Sequence, residues 1–358
     1  MTEEKEIDYT LNNPDTLTKY RTAAEISERV LAKVKELVVP GAKIVDICEK
    51  GDELIEEEVA KVYRGKKVTK GFSHPCTISP ASFPGEPVKI QLGAQIDGFG
   101  SIVCDTVLAG KADEEVTGRP ADLILATYYA NELLLRLMLP PPLTQSKITS
   151  LLDKVVKSYE CNLVESTTSW LFDRNEIEGA KKIVLAPSEG TKGEGSPVSV
   201  KTLEHRATLH RRTLQTYGLK RPTSRKILSE VVKRFGNFPF SLRQLEDERD
   251  AKAGVVECVR GNIFRQYELV GDKDNSPVAR LLTTIAITKN GVTKLGAAPA
   301  LDISKFKSDK KITDEEILSI LEQPIARNTG KKKANKKKKR PAKKAQAEES
   351  EEESSDEE

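Results

Sequence analysis

The most restrictive feature of the sequence is a change of hydrophobic period at residues 88–108. From residue 88 to residue 96, apolar residues alternate strictly with polar or small ones, and the dipeptide Asp97-Gly98 follows. Strict alternation predicts a strand with one buried face, and Asp-Gly is favoured where a two-residue hairpin turn requires positive φ. We therefore predict an antiparallel hairpin whose second strand runs from Phe99 to Leu108.

Helical periodicity surrounds this hairpin. Apolar residues recur every three or four positions in segments that predict helices at about 15–39, 47–63, 120–139 and 145–159. The order helix, helix, hairpin, helix, helix indicates an α+β fold with antiparallel strands, not a series of βαβ units.

The chain beyond residue 160 gives weaker signals. Its composition predicts a surface loop at 187–197. A Thr313-x-x-Glu316 capping box predicts a last helix that buries Ile317, Leu318, Ile320 and Leu321. The other predicted elements are a strand at 183–185, a helix at 223–235, a capping box at Ser241-x-x-Gln244, strands at 254–270 and 278–288, and a hairpin turn at Asn290-Gly291.

Charge is unevenly distributed along the 358 residues. The 58 Lys and Arg and 55 Asp and Glu residues give a net charge of +3, but residues 331–344 carry ten positive charges and residues 348–358 carry eight negative ones. The first 330 residues are left with a net charge of +1, so polyelectrolyte behaviour belongs to the tail. The tail has almost nothing apolar to bury, and we expect it to be disordered.

Cysteine usage and hydropathy indicate a chain in a reducing compartment. The five cysteines are widely spaced, with no CxxC motif, which predicts buried free thiols. No run of about 18 apolar residues occurs and the first ten residues are acidic, so we expect neither a membrane span nor a signal peptide.

Residues that could support catalysis are few. His205 and His210 are five positions apart and would not share a helix face, and His74 precedes a proline, where a turn or packing role is expected. The sequence has no GxGxxG or GxxxxGKS/T nucleotide motif. Asp97 and Asp105 could in principle bind a hard cation, but Asp97 already has the ordinary role of filling the hairpin turn.

Several longer motifs together resemble one protein family. They are TKYRTAAEI (18–26), ICEKGDELI (47–55), VKIQLGAQIDGF (88–99), VTGRPAD (116–122), FPFSLRQLEDERDAKAGVVEC (238–258) and the lysine-rich tail. In this combination the chain resembles the proliferation-associated, curved-DNA-binding proteins, which are relatives of methionine aminopeptidase without its activity. The resemblance covers most of residues 17–300 and implies a pita-bread α+β fold, in which two pseudo-symmetric halves of antiparallel sheet are covered by helices.

The resemblance also implies where a metal site would lie. The aminopeptidases of this fold bind two metal ions through two aspartates, a histidine and two glutamates. The aspartate positions correspond here to Gln91 and Ile102, the segment 164–172 that should carry the histidine has none, and no glutamate-bearing strand is found between 173 and 215. An amide and an alkyl side chain cannot hold a dinuclear site, so we expect no metal, no other cofactor and no peptidase activity.

Two segments are shorter than the resemblance implies. Relative to that family, the loop and strand that precede residues 88–90 are reduced to PASFPGEP (80–87). A pair of strands expected near 186–215 is also missing. Either a trimmed fold or an imperfect gene model accounts for both deficits. In both cases, the loss of interior strands predicts exposed sheet edges.

For function, the resemblance implies a non-enzymatic protein that associates with RNA, DNA and ribosomal particles, the large subunit in particular, and acts in ribosome biogenesis, translation or growth control. It implies nuclear, nucleolar and cytoplasmic locations. We expect protein partners, no membrane association and a monomeric state. The alternative is a protein-interaction scaffold or transcriptional regulator whose tail serves nuclear import, and an active metallo-aminopeptidase is the remaining hypothesis.

The distribution of charge indicates which residues are candidates for binding nucleic acid or ribosomes. A lysine-rich run attracts a phosphate backbone by counterion release without reading sequence, and a solubilising or nuclear-import tail is the competing interpretation. The predicted domains are an N-terminal extension (1–16), an aminopeptidase-like domain (17–326, with a weak match at 162–215) and a basic-then-acidic tail (327–358). The nucleic-acid or ribosome-binding candidates are Lys331, Lys332, Lys333, Lys336, Lys337, Lys338, Lys339, Arg340, Lys343 and Lys344 in the tail, and Arg64, Lys66, Lys67, Lys70, Lys220, Arg221, Arg225 and Lys226 in the body; the phosphorylation candidates are Ser350, Ser354 and Ser355.

Overall fold

The structure is a computed structural model of the chain. It describes residues 8–79, 85–110, 114–139, 141, 143–188, 200–288, 291–297 and 301–325. The predictions for the tail, and for the 189–197 part of the surface loop, lie outside the described residues.

Helices and strands are mixed along the chain, and every described strand pair is antiparallel except Val116–Thr117 with Phe306–Lys307, in agreement with the predicted α+β class. The helices are α1 (Pro14–Glu36), α2 (Ile44–Lys61), α3 (Gly118–Leu137), α4 (Gln145–Lys157), α5 (Pro222–Arg234), α6 (Glu248–Arg260) and α7 (Glu315–Leu321). The strands are β1 (Lys70–Ile78), β2 (Pro87–Ile96), β3 (Phe99–Leu108), β4 (Val116–Thr117), β5 (Thr168–Trp170), β6 (Lys182–Val184), β7 (Val200–Thr202), β8 (Leu209–Arg212), β9 (Pro239–Ser241), β10 (Phe264–Gln266), β11 (Val270–Asp272), β12 (Ile285–Thr288), β13 (Gly291–Lys294) and β14 (Phe306–Lys307). Within the described ranges, no helix is both long enough and apolar enough to cross a membrane.

The predicted hairpin is the centre of the fold. β2 and β3 pair antiparallel over all ten residues of each strand. Asp97 and Gly98 turn the chain with φ of 55° and 82°, the positive values that the Asp-Gly dipeptide predicts. β1 pairs with the free edge of β2 and completes a three-stranded antiparallel sheet.

Alternation along β2 gives this sheet two different faces. Ile90 and Leu92 are fully buried in a core that they share with Ile26 of α1 and with residues of α2. Successive side chains of a strand point to opposite faces. Lys89 and Gln91 therefore face away from α1 and α2, towards a cavity.

Smaller units surround the central layer. A second three-stranded sheet, with the order β10-β8-β9, shares a core with α5 and α6 through Phe240 and Phe264. α3, α4 and α7 pack around a separate apolar cluster that includes Leu133, Leu151 and Ile317. The other strands form two-stranded pairs, which are β5 with β6, β7 with β11, β12 with β13 and β4 with β14.

Most predicted elements are confirmed. α1 to α5 occupy the five predicted helical segments within a few residues, and β6 covers most of the strand predicted at 183–185. The capping box between Ser241 and Gln244 is present. All five cysteines are buried and free. β12 and β13 form the hairpin predicted around Asn290-Gly291, although Asn290 itself lies outside the described residues.

The strand predicted at 254–270 is wrong over its first half, because residues 254–260 belong to α6. The carboxylate of Asp247 caps this helix by accepting a hydrogen bond from the Asp250 N–H, and Ala251, Val255 and Cys258 form its buried stripe. The helix cap and the helical spacing of the buried residues favour a helix here more strongly than the β-branched residues of the GVVECV segment favour a strand. The strand predicted at 278–288 is likewise reduced to β12 and an isolated bridge at residue 282.

The last helix is also shifted from its predicted start. Its cap is Asp314, not Thr313, because the Asp314 carboxylate accepts a hydrogen bond from the Ile317 N–H at 3.2 Å. Ile317 is fully buried, but Leu318 is 42% exposed, so the predicted burial of Leu318 is wrong. A single short helix can turn only one narrow stripe towards the core.

A buried ion pair joins distant parts of the chain. Asp52 of α2 contacts Arg243 at 2.7 Å and accepts a hydrogen bond from the Cys76 N–H of β1 at 2.8 Å. Arg243 follows β9 and also donates to the Cys76 carbonyl at 2.6 Å and to Ser241 Oγ at 3.0 Å. α2, β1 and β9 are therefore held together at one point.

Removing one member of this pair should destabilise the fold. We expect Arg243→Met to lower the free energy of unfolding by about 3–5 kcal/mol, because the Asp52 carboxylate would stay buried without its partner. Urea denaturation measures the change. The control is Lys50→Met, which breaks an exposed pair with Glu53 on the same helix and should leave the free energy of unfolding almost unchanged. Equal losses in the two variants would contradict a structural role for the buried pair.

Candidate functional site

A large cavity lies against the sheet face opposite α1 and α2. Its volume is about 1820 Å³. β1, β2 and β3 contribute one wall, and residues from 167–185, 239–243 and 280–287 contribute others. The exposed large apolar side chains that border it are Ile44, Val45, Leu171, Leu269, Val270 and Ile287.

Both positions that the resemblance assigns to metal ligands lie in this cavity. Gln91 pairs across the β2–β3 ladder with Cys104, and Gly93 pairs with Ile102. Gln91 and Ile102 are therefore diagonal neighbours on one face of the sheet. Ile102 is 4% exposed and belongs to a small apolar cluster with Phe238.

These side chains do not fit a dinuclear metal site. Gln91 offers one neutral oxygen and Ile102 offers none, whereas two hard cations require converging anionic oxygens. Among the described residues, no three His, Cys, Asp or Glu side chains are grouped closely enough to hold a metal ion. β6, β7 and β8 lie in the region that should carry a glutamate-bearing strand, and none of the three contains a glutamate.

Two cationic residues stand beside Gln91. Lys89 lies two positions earlier on the same face, and its Nζ donates to the Val278 carbonyl at 3.3 Å. The backbone of Arg280 is fixed to β3, because its N–H donates to Thr106 Oγ1 at 2.7 Å and its carbonyl accepts from the same hydroxyl at 2.8 Å. Burial lowers the pKa of Lys89, and the neighbouring Arg280 charge lowers it further. The two cations thus share one region of the cavity.

The histidine and thiol of this region are uncharged near neutral pH. Burial lowers the pKa of His74 to about 4, and the charges of Arg280 and Arg243 contribute to the shift. Burial raises the pKa of Cys104 to about 12, so this side chain lacks the thiolate that nucleophilic catalysis requires. His74 lies within β1 and is buried. Of the two roles expected for it, packing is confirmed and a turn is not.

The other candidate metal ligands have different partners. Asp97 forms ion pairs with Lys19 at 2.7 Å and Arg174 at 2.8 Å, in agreement with its predicted turn role, and Asp105 pairs with Lys35. His210 is buried on β8, whereas His205 is exposed. The two histidines therefore do not converge on one site.

All the nucleic-acid candidates of the body lie outside the cavity lining, and all but Lys70 are exposed. Lys70 is half-buried at the start of β1, and its Nζ donates to the Val62 carbonyl at 2.8 Å. Arg64, Lys66 and Lys67 are exposed in the turn between α2 and β1. The second group, Lys220, Arg221, Arg225 and Lys226, is exposed at the start of α5. None of these side chains lines the cavity. The tail candidates, including Ser350, Ser354 and Ser355, lie outside the described residues.

Lys89, Arg280 and Trp170 line the cavity, although nothing in the sequence-based predictions named them. The position of Lys89 is predictable from the sequence, because residues two apart in a strand lie on the same face of the sheet and Lys89 is two residues before Gln91. Trp170 lies on the wall formed by β5 and β6, where Lys182 Nζ is 4.9 Å from its ring centroid. No local pattern places Arg280 or Trp170 beside the hairpin.

The buried His74 should make stability depend on pH. Its pKa of about 4 in the folded protein is below the value of about 6.5 for an unfolded chain. The unfolded state therefore binds more protons between these values, and stability is lost as pH falls through this window. Relative to His74→Asn, the wild-type protein should lose about 2 kcal/mol more in unfolding free energy between about pH 7.5 and pH 5.

Chemical denaturation at the two pH values measures this difference. Burial raises the pKa of Asp52 to about 6, which gives a slope of opposite sign, but this contribution is present in both proteins and cancels. Parallel stability profiles for wild type and variant would contradict a neutral buried His74.

Comparisons with known proteins agree with the fold and the motifs. The curved DNA-binding protein of Schizosaccharomyces pombe is 37% identical in an alignment of 372 positions, gaps included, that covers 93% of this chain and 96% of that protein. ERBB-3 binding protein 1 of Solanum tuberosum is 32% identical in an alignment of the same length, which covers 92% of this chain and 94% of that protein. A solved structure described as a thermophilic Arx1 is 62% identical, covers 88% of this chain and 99% of that one, and has a TM-score of 0.83.

No protein-family model matches the sequence. The relatives, however, are aligned over nearly the whole chain, and the structural match extends over most of it. The chain therefore belongs to the curved DNA-binding and proliferation-associated proteins, relatives of methionine aminopeptidase with the pita-bread α+β fold.

Proposed function

We propose that the protein is a non-enzymatic, RNA- and ribosome-associated protein on a degenerate methionine aminopeptidase scaffold, with a role in ribosome biogenesis, translation or growth control. One observation carries the non-enzymatic part. Gln91 and Ile102 occupy the expected ligand positions, and Lys89 and Arg280 stand beside them. Positive charges near these positions raise the cost of placing metal cations there, and half-buried Lys89 contributes more than exposed Arg280, because water screens an exposed charge.

Binding of polyanions is supported by the charge pattern and by one relative. The segment 331–344 carries ten positive charges in fourteen positions, and such a run gains affinity for a phosphate backbone by releasing counterions. The relative from Schizosaccharomyces pombe is named for binding curved DNA. We therefore propose RNA, within the large ribosomal subunit, as the principal partner and DNA as a second one.

The proposed ribosome association also implies where the protein is found in the cell and how phosphorylation would regulate its binding. A protein that accompanies ribosomal particles would be found in the nucleolus, nucleus and cytoplasm, as a monomer with further protein partners. Phosphorylation of Ser350, Ser354 or Ser355 would add negative charge to the acidic run and weaken the attraction of the lysines for phosphate.

Neutralising the basic run should weaken ribosome binding. We expect full-length protein to co-sediment with large ribosomal subunits, and a full-length variant with glutamine at all ten basic positions of 331–344 to bind them more weakly. The slope of log affinity against log salt should become shallower by about 0.7–0.9 for each phosphate that the variant no longer neutralises. A 1–346 truncation that removes only the acidic run is the matched control and should bind more tightly at low salt.

The outcome separates the proposal from its alternative. An unchanged salt slope in the glutamine variant would remove the tail from ribosome binding. Retained binding of protein partners without any RNA or ribosome association would favour a scaffold whose tail serves nuclear import. Nuclease treatment before sedimentation distinguishes contact with RNA from contact with ribosomal proteins.

The purified protein should hold no stoichiometric transition metal and should not release methionine from a Met-Ala-Ser peptide. Elemental analysis and an amino-acid release assay, with an active methionine aminopeptidase in parallel, measure both properties. The physical reason is the donor set, since an amide and an alkyl group replace two carboxylates. Metal-dependent release of methionine would support the aminopeptidase hypothesis instead.

A further inference from the structure

The cavity combines two cationic side chains near the sheet with an apolar mouth. Burial increases from the mouth, where Val270 is 55% exposed, to the sheet, where His74 and Cys104 are 5% and 2% exposed. Lys89, which is half-buried, and Arg280, which is exposed, carry their charges near these buried residues. We propose that the cavity is a docking site for the carboxyl-terminal end of a polypeptide, with its terminal carboxylate bound by Lys89 and Arg280 and its preceding apolar side chains packed against the mouth.

Both cations have donors available for a carboxylate. Lys89 Nζ makes one hydrogen bond, to the Val278 carbonyl, and an ammonium group has three donors. Arg280 uses its backbone groups to bind Thr106, and its guanidinium has no hydrogen bond or ion pair to any residue of the described ranges. Arg243 also lines the cavity, but its guanidinium is occupied by Asp52 and the Cys76 carbonyl.

The size and chemistry of the cavity favour a peptide over other anions. Its volume of about 1820 Å³ exceeds the roughly 300–1,000 Å³ of sites for small molecules. A polynucleotide gains its affinity from many phosphate contacts along a basic surface. The cavity lining mixes charges of both signs, because Lys181, Lys182, Asp173, Glu248 and Glu268 also belong to it. Lys89 and Arg280 are the available cations near the buried end, and exposed apolar side chains border the cavity, which suits one carboxylate preceded by apolar residues.

The positions of the charges favour a carboxyl terminus over an amino terminus. An α-ammonium group would be repelled by Lys89 and Arg280, whereas a carboxylate would form charge-assisted hydrogen bonds with both. A chain end can reach the buried sheet and stop there, but an internal acidic residue would require the chain to turn back towards the mouth. The cavity would therefore select the opposite end of a polypeptide from the one that an aminopeptidase cleaves.

Two matched peptide pools test this proposal on the full-length protein. Heptapeptides with apolar residues at their last three positions are prepared with free carboxyl termini or as carboxamides, and bound peptides are identified by mass spectrometry. The best free-acid peptide is labelled at its amino terminus and titrated by fluorescence anisotropy. We expect its carboxamide to bind at least about tenfold more weakly, because hydrogen bonds to charged groups are worth more than neutral ones.

Charge-removing variants locate the site. Lys89→Met and Arg280→Gln should each weaken binding of the free-acid peptide about tenfold and should not affect the weaker carboxamide. Arg280→Gln keeps the backbone bonds to Thr106. The control is Lys233→Gln, an exposed position of α5 outside the cavity lining, which should bind as wild type. Thermal melting checks that each variant is folded.

Several results would overturn the proposal. One is the absence of saturable binding by any free-acid peptide. Another is equal affinity for the free-acid peptide and its carboxamide, a comparison that requires only the wild-type protein. Equal binding by a carboxamide with an internal glutamate would contradict a terminal carboxylate. Wild-type affinity in both cavity variants would place the peptide elsewhere. Ribosome co-sedimentation of Lys89→Met should be unchanged, so the two proposals can fail separately.

Discussion

The ion pair between Asp52 and Arg243 is the interaction on which the arrangement of the cavity depends. It joins residues 191 positions apart and holds β1 through both the N–H and the carbonyl of Cys76. Burial raises the pKa of Asp52 to about 6, and the Arg243 charge opposes this rise. β1 carries His74 into the cavity, so the same pair that joins α2 to the segment after β9 also positions one wall of the site. The CEKGD and FPFSLR motifs each supply one partner, which gives their joint presence a physical reason.

In the central hairpin, one face of β2 packs in the core and the other face lines the cavity. One face of β2, with Ile90 and Leu92, is committed to the core against α1 and α2. The side chains of the other face, Lys89 and Gln91, do not pack in this core. Substitutions at these positions can therefore change the chemistry of the cavity without changing the register of the strands. A pita-bread fold can therefore keep its hairpin while the residues at its ligand positions become an amide and an alkyl group.

Local patterns were sufficient for most of the fold and for part of the site. The hairpin and α1 to α5 followed from period, caps and turn residues, whereas α6 was mistaken because β-branched residues occupy a helix with a well-formed cap. Gln91 and Ile102 were placed by resemblance. Arg280 could not be placed, because it reaches the hairpin through hydrogen bonds to Thr106, 174 positions away. Hydrogen bonds of that range leave no periodic signal. The charge of Arg280 predicts a surface position, and the residue is exposed, but its charge does not indicate which strand it lies against.

The amide and the alkyl group at the ligand positions, with two cationic side chains near them, change what the cavity can do. A metal ion attracts oxygen ligands, accepts their electron pairs and activates a bound water molecule. Lys89 and Arg280 supply positive charge and hydrogen-bond donors but have no vacant orbital, so they can orient an anionic group but cannot activate a water molecule as a bound metal ion does. Neutral His74 and Cys104 do not compensate, because burial holds the histidine unprotonated and the thiol protonated. The carboxylate that we propose as the occupant would therefore be oriented by Lys89 and Arg280, without a metal ion to activate water beside it.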